Sequence, residues 1–199
     1  VECEKCGFKF VNQQPSARFL KEFYDGAYTN RRGQFNKRGG LGRKLKYWAF
    51  KTWIKSYSKN RPIRTLEIGC GQGDFLDSVA KDGDYDAMGL EFASDAVENI
   101  NKRGLKAKQG GVLENQLGSQ AYDLVVAFHV LEHVQDLNVM MEEVARVTKK
   151  GGLIFFVCPS ADHIKARIAG EKWKYLGPPG HLWYFGPLTI SKLVEKHGF

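Results

Sequence analysis

The chain predicts an α/β fold built on a doubly wound, mostly parallel sheet, with an N-terminal helical extension. Three observations predict it. From Arg64 onward, short apolar runs alternate with amphipathic stretches, the pattern of strands covered by helices on both faces. Leu66-Glu67-Ile68-Gly69-Cys70-Gly71-Gln72-Gly73-Asp74-Phe75-Leu76 reads as strand, tight turn and helix start. Met88-Gly89-Leu90-Glu91 reads as a second strand ending on a carboxylate.

Taken in order, Ser16 to Tyr24 reads as a short helix capped by Ser16, and residues 29–40, rich in Arg, Asn and Gly, as a loop. Leu41 to Tyr57 reads as a long basic helix with Leu45, Trp48, Thr52 and Tyr57 near one side, broadened by Trp53 and Ile54. Such a helix either packs on the following domain or lies at a membrane interface. Strands are expected near 64–69, 86–91, 105–108, 122–128 and 153–157, and helices near 74–82, 94–103 and 137–149. In the last of these helices, Leu137, Met140, Met141, Val144 and Val147 fall at helical spacing. Asp136 caps its start and Gly151 ends it. A long aromatic connection follows, with Trp173, Tyr175, His181, Trp183 and Tyr184, and then a final helix from Pro187 to Lys196.

Composition bounds the function. With 43% hydrophobic and 26% charged residues, the 199-residue chain suits one core-forming domain. No apolar run approaches the roughly 20 residues of a membrane span, and no signal peptide is visible. The cysteines at 3, 6, 70 and 158 do not form a disulfide framework, so a cytoplasmic setting is expected. The net charge of +8 is concentrated in Arg31, Arg32, Lys37, Arg38, Arg43, Lys44, Lys46, Lys51, Lys55, Lys59, Arg61 and Arg64. That patch is either a solvated face or an attractor for a phosphorylated substrate, nucleic acid or an anionic membrane surface.

The glycine turn allows close backbone approach to a ligand, and the helix after it offers free N–H groups. A carboxylate at Glu91 suits the two hydroxyls of a ribose. The spacing G-x-G-x-G, with Glu67 before it and Asp74 after it, favours a cationic nucleoside ligand over a pyrophosphate, because like charges repel.

On these residues the chain resembles the class I S-adenosylmethionine-dependent methyltransferases. The likeness continues through Tyr122-Asp123-Leu124-Val125-Val126-Ala127-Phe128-His129-Val130-Leu131-Glu132-His133-Val134, with its L-E-H turn. It continues again through Lys149-Lys150-Gly151-Gly152-Leu153-Ile154-Phe155-Phe156-Val157-Cys158-Pro159. The resemblance implies a Rossmann-like domain over 63–199 and S-adenosyl-L-methionine as cofactor. Gly69, Gly71 and Gly73 would lie along its methionine and ribose, Glu67 would shape the loop, and Glu91 would take the ribose. Phe92 lies either against adenine or in the core, and Phe128 closes the fourth strand beside the ligand. An acid is implied at the end of the third strand, but Gln109-Gly110-Gly111-Val112-Leu113 offers a glycine there. Adenine contact is left to the backbone of this run, with Val112 and Leu113 at the cofactor, or to a shifted residue such as Glu114.

His129, His133 and, from the covering connection, His181 are the candidate bases for an acceptor hydroxyl. If the turn is helical, His129 and His133 share a face. Structural roles in orienting the turn and packing the lid are the alternative. Glu132 with His133 gives only two ligands for a divalent metal. The resemblance also implies seven strands, of which five are legible, so the C-terminal strands are expected beyond Phe199. Cys3-Glu4-Lys5-Cys6-Gly7 in segment 1–12 has the shape of one zinc knuckle. Val11-Asn12-Gln13-Gln14-Pro15 and Phe23-Tyr24-Asp25-Gly26-Ala27-Tyr28, in the basic extension 13–62, look like the segments that follow a zinc ribbon in some of these enzymes. Cys3 and Cys6 would then be half of a zinc site, with two free thiols as the alternative.

The expected activity is methyl transfer to a small-molecule, sugar or lipid-linked acceptor, most simply at oxygen. An RNA-modifying enzyme or RNA-binding module using segment 31–64 is the alternative. Phe128-His129-Val130-Leu131 lacks the N-P-P-Y-type turn of base amino methylation, and Cys158 follows the fifth strand and is expected buried and inert.

Overall fold

The computed structural model describes residues 1–16, 18–20, 22, 41–59 and 61–199. The loop expected over 29–40 and the Phe23–Tyr28 segment lie outside the described residues. The elements are β1 (Lys9–Phe10), α1 (Leu41–Tyr57), β2 (Ile63–Ile68), α2 (Asp74–Val79), β3 (Tyr85–Glu91), α3 (Ser94–Lys102), β4 (Ala107–Gln109) and β5 (Tyr122–Phe128). A 3₁₀ turn (Leu131–His133) leads to α4 (Leu137–Val147), β6 (Thr148–Val157), α5 (Ile164–Ala169), β7 (Trp183–Tyr184) and α6 (Pro187–Lys196).

Among the described residues the main sheet has five strands in the order β4-β3-β2-β5-β6, every pair parallel. β2 sits centrally, with Leu66 opposite Met88 on one side and Val125 on the other. Five of its six residues are buried, as a strand covered on both faces requires. Along β5 successive side chains point to opposite faces. Val125 and Ala127 join Met140, Met141, Val144 and Val147 of α4. Leu124 and Val126 join Phe75 and Val79 of α2 and Ile54 of α1, with Tyr47, Phe50 and Phe155 at the edge.

α1 spans the expected residues, but the stripe expected to dock does not. Leu45, Trp48 and Tyr57 are exposed, while Ile54 is buried and Tyr47 and Phe50 pack beside it. The helix is apolar on two sides, so spacing alone did not say which side faces the sheet. Tertiary polar contacts fix the choice. Lys51 Nζ donates to the Ser78 carbonyl (2.6 Å), Lys55 Nζ reaches Asp82 and Asp84 (2.8 Å each), and the Tyr85 hydroxyl donates to the Lys51 carbonyl (3.0 Å).

α4 is shorter than expected. Asp136 caps it as predicted, accepting from the Asn138 and Val139 N–H groups at 2.9 and 3.1 Å. It ends at Val147 rather than near Gly151, because Thr148 leaves the helix to pair with Tyr122 and opens β6. Lys149 Nζ is held by Asp123 Oδ1 at 2.8 Å, and the register slips between Tyr122 and Leu124, so the two glycines lie in an irregular stretch inside β6. The Ser16 cap is present, its hydroxyl accepting from the Phe19 N–H at 3.2 Å.

Segment 1–12 is strapped onto the late part of the chain. β1 pairs antiparallel with β7 (Lys9 with Tyr184, Phe10 with Trp183). Phe8 stacks on Trp183 (centroids 5.6 Å apart, planes at 8°), and the Val11 N–H donates to the Leu182 carbonyl (2.9 Å). No helix among the described residues is long and apolar enough to cross a membrane.

Candidate functional site

The C-terminal ends of β2, β3 and β5 converge where the chain leaves the central strand in opposite directions, the place where open parallel sheets bind ligands. β2 ends on the glycine turn. Gly69 has φ +67, and a Cβ there would lie 2.5 Å from Val130 Cγ2, so only a hydrogen fits beneath the β5 loop. Gly71 has φ +53 but nothing within 4 Å of where its Cβ would stand, so its free side faces open space.

Glu91, buried at the end of β3, ties the turn to its neighbour. Its Oε2 accepts from the Gly71 N–H (2.8 Å) and its Oε1 from the Ala93 N–H (3.1 Å). Glu67, 3% exposed inside β2, has an Oε2 without a hydrogen-bond partner. Burial, reinforced by Asp74 and Glu91, pushes its carboxyl well above the ordinary carboxylate range. A buried orphan carboxyl and a second buried acid beside an open glycine turn fit a ligand that carries both cationic groups and a ribose.

Phe92 lies outside the core at 66% exposure, its Cζ 3.0 Å from where a Gly111 Cβ would stand. The core alternative for Phe92 is thereby removed. Leu113 is also exposed, whereas the Val112 side chain is buried in the core on the α4 side, which leaves its backbone to the crevice. Glu114 shapes this loop by accepting from the Gly111 N–H (2.8 Å). Phe128 ends β5. The alternation along β5 sends its ring toward α1 and α2, among Tyr47 (5.8 Å), Phe50 (6.4 Å), Phe75 (5.5 Å) and Phe155 (6.1 Å), which leaves its main chain to border the crevice.

His129 follows in the left-handed region, φ 58, with its side chain 52% exposed. Its N–H donates to the Val157 carbonyl (2.7 Å), and its Nδ1–H faces Glu132 Oε1 at 3.3 Å. A non-glycine residue held in this conformation carries strain that surrounding structure must offset, as functional residues often do. His133 does not share its face, because the left-handed residue and the 3₁₀ turn between them break helical spacing. His133 is turned inward, its Nδ1–H donating to the Gly180 carbonyl (2.7 Å). Burial lowers its pKa below the ordinary value, against the opposing pull of Gly180 and Glu132. His181 donates from Nδ1 to the Tyr175 carbonyl (2.8 Å) and meets His133 edge-on at 4.6 Å.

The L-E-H turn therefore stitches the lid to the sheet. The Leu182 N–H donates to the Glu132 carbonyl (2.7 Å) and Trp183 Nε1–H to the Val134 carbonyl (2.6 Å). The Tyr175 ring is nearly parallel to two imidazoles, its centroid 6.4 Å from that of His129 and 6.5 Å from that of His181. Sequence spacing alone could not bring His181 to this turn. The fold does, and donor atoms of Glu132, His133 and His181 come within 4.8 Å of one another. Glu132 Oε2, buried, has no hydrogen-bond partner.

Cys3 and Cys6 sit on a tight turn in which the Gly7 N–H donates to the Cys3 carbonyl (2.8 Å). Backbone N–H groups and the Cys6 thiol lower the Cys3 pKa. Among the described residues no third His, Cys, Asp or Glu joins them. Two thiols do not satisfy tetrahedral zinc, so the present donors do not fit a closed zinc site. Cys158 is partly buried rather than fully buried, and burial pushes its thiol up to about 12, which disfavours the thiolate.

The family model of a methyltransferase domain matches residues 40–199. A ubiquinone biosynthesis O-methyltransferase of Vibrio parahaemolyticus is 25% identical over 146 residues, covering 67% of this chain and 62% of that protein. One from Colwellia psychrerythraea is 28% identical over 152 residues, covering 68% and 60%. The chain thus spans about three-fifths of the length of these relatives. Among solved structures, a SAM-dependent methyltransferase from Archaeoglobus fulgidus superposes with TM-score 0.64 at 22% identity, covering 89% of this chain and 74% of that one. The [4+2]-cyclase SpnF superposes with TM-score 0.68 at 16% identity, covering 93% and 74%. With the open glycine turn and its paired acids, the match over residues 40–199 makes this chain a member of the S-adenosylmethionine-dependent methyltransferases of class I fold.

Proposed function

We propose that the protein methylates a hydroxyl of a small, ring-bearing acceptor, with His129 as general base. The observation that carries this reading is the Glu132–His129 pair at the open end of β5, against the loop that covers Gly69. When bound, the cofactor supplies an electrophilic methyl group and its leaving group. Glu67, Gly69, Gly71, Gly73 and Glu91 would hold it, with Phe92 and Leu113 at the edge of the slot.

The protein's own task is to position and deprotonate the acceptor. The Nδ1–H of His129 donates to Glu132, which leaves the lone pair on Nε2. That nitrogen takes the proton from the acceptor hydroxyl as its oxygen becomes nucleophilic. Tyr175, parallel to the His129 ring, offers a flat surface for an acceptor ring, and the lid restricts water. The O-methyltransferase names of the relatives support oxygen as the target, as does the absence of an N-P-P-Y-type turn.

Two measurements test the proposal. Wild-type protein should bind S-adenosylhomocysteine in a calorimetric titration; no heat at millimolar ligand would remove the cofactor assignment. His129→Asn should then bind it unchanged but lose about 10²-fold or more in turnover on a panel of hydroxylated ring compounds followed by mass spectrometry. Full activity in that variant would exclude His129 as the base.

A further inference from the structure

α1 has two apolar faces, and among the described residues only one is covered. Tyr47, Phe50 and Ile54 press on Phe75, Phe128 and Phe155. At 3.6 residues per turn, Leu45, Trp48, Ala49, Thr52 and Ser56 fall on the opposite side, and all are exposed. Leu45 is 56% exposed and Trp48 63%, with Trp53 and Tyr57 flanking them at 48% and 60%.

The two hydroxyls on this face make little demand on water. Thr52 Oγ1–H donates to the Trp48 carbonyl (3.0 Å) and Ser56 Oγ–H to the Trp53 carbonyl (2.7 Å). The face can therefore enter an apolar medium without stranding a hydroxyl donor. The stretch of sequence that holds this helix is basic. Residues 26–66 contain twelve Lys and Arg and no Asp or Glu. Lys51 and Lys55 turn inward toward Asp82, but Lys46 and Lys59 are exposed. Indole, phenol and leucine side chains on a helix within a basic, acid-free stretch of sequence, with Lys46 and Lys59 exposed, match the chemistry of a bilayer headgroup region.

We propose that this outer face of α1 docks on an anionic lipid surface, with the helix lying in the interfacial plane. Aromatic rings supply apolar burial, and the basic segment supplies attraction to anionic headgroups. The docked face also orients the site. Tyr47 and Phe50 rest on Phe128, one position before His129, whereas Lys55 meets Asp82 and Asp84 at the other end of the helix. Leu45 and Trp48 thus lie at the same end of the sheet as the crevice, so docking brings the crevice toward the bilayer. The docking does not depend on the acceptor or the base proposed above.

The test uses the full chain and vesicles without acceptor. Wild-type protein should co-sediment with phosphatidylcholine vesicles containing about 30 mol% phosphatidylglycerol, but poorly with phosphatidylcholine alone. Salt at about 0.5 M should weaken binding. The double variant Leu45→Ser/Trp48→Ser should lose binding by about tenfold or more. Circular dichroism and S-adenosylhomocysteine affinity, measured alongside, should stay at wild-type values. Any of three results would overturn the proposal: wild-type protein remaining in the supernatant with anionic vesicles, binding indifferent to the double substitution, or a Trp48-dependent self-association or RNA complex without vesicle binding.

Discussion

Gly69 and Gly71 sit two positions apart and answer to different constraints. Gly69 is hemmed in by Val130, so Gly69→Ala adds a clash to an unfavourable φ and should cost about 1–3 kcal/mol of stability. Gly71 faces open space, so Gly71→Ala should cost only about 1 kcal/mol of stability. It should nevertheless weaken S-adenosylhomocysteine about tenfold, because its methyl group occupies the ligand's approach. Denaturant melts and calorimetric titration of the two variants check the pair, and equal binding losses at equal stability would contradict this division. His133 gives a pH signature. Its pKa lies below the ordinary 6.5, chiefly through burial. Below 6.5 the unfolded chain takes up a proton that the folded state resists, so this contribution to stability is present above 6.5 and lost as pH falls through the folded value. Wild-type protein should therefore lose more stability than His133→Asn between about pH 6.5 and 5, as measured by urea melts across that window.

At the scale of elements, α1 is the instructive case. Ile54 is buried at 1% exposure in the cluster with Phe75 and Leu124, and Ile54→Ala should cost about 2–4 kcal/mol. Leu45→Ala, on the outer face of the same helix, should change stability by no more than about 0.5 kcal/mol. Similar losses in a thermal denaturation series would mean that the outer face is covered in solution. The apolar stripe at Leu45, Trp48 and Tyr57 was readable from spacing, but its direction was not, because Tyr47, Phe50 and Ile54 make a second stripe in the same helix. Likewise the apolar periodicity through Val147 was legible, whereas the exit at Thr148 depends on pairing with Tyr122, remote in sequence.

At the scale of the molecule, the site is an assembly of strand ends held by the sheet and closed by a lid. β1 and the Phe8–Trp183 stack fasten segment 1–12 to that lid, so the first residues of the chain brace the last part of the site. A ligand that binds only the folded state stabilises the whole domain. S-adenosylhomocysteine at about 100 times its dissociation constant should add about 2.7 kcal/mol and raise the melting temperature by roughly 5–10 °C. Glu91→Ala should remove most of that shift, because it releases the Gly71 and Ala93 N–H groups along with the acid. A full shift in this variant, read by scanning fluorimetry, would place the ligand elsewhere.

The sequence by itself determined the alternating α/β plan, the glycine turn with its two acids and the ends of α1 and α6. These are local matters of period, capping and backbone space, and neighbouring residues suffice to express them. Tertiary structure decided which way Phe128 and Val112 point, and which side of α1 is buried. It also decided that His129 faces Glu132 while His133 turns to Gly180, and that His181 and Tyr175 return to the L-E-H turn. Those outcomes rest on contacts between residues far apart in the chain and on one left-handed backbone position. No periodicity encodes either, because hydrogen-bond partners and packing surfaces are chosen only when the strands and lid come together.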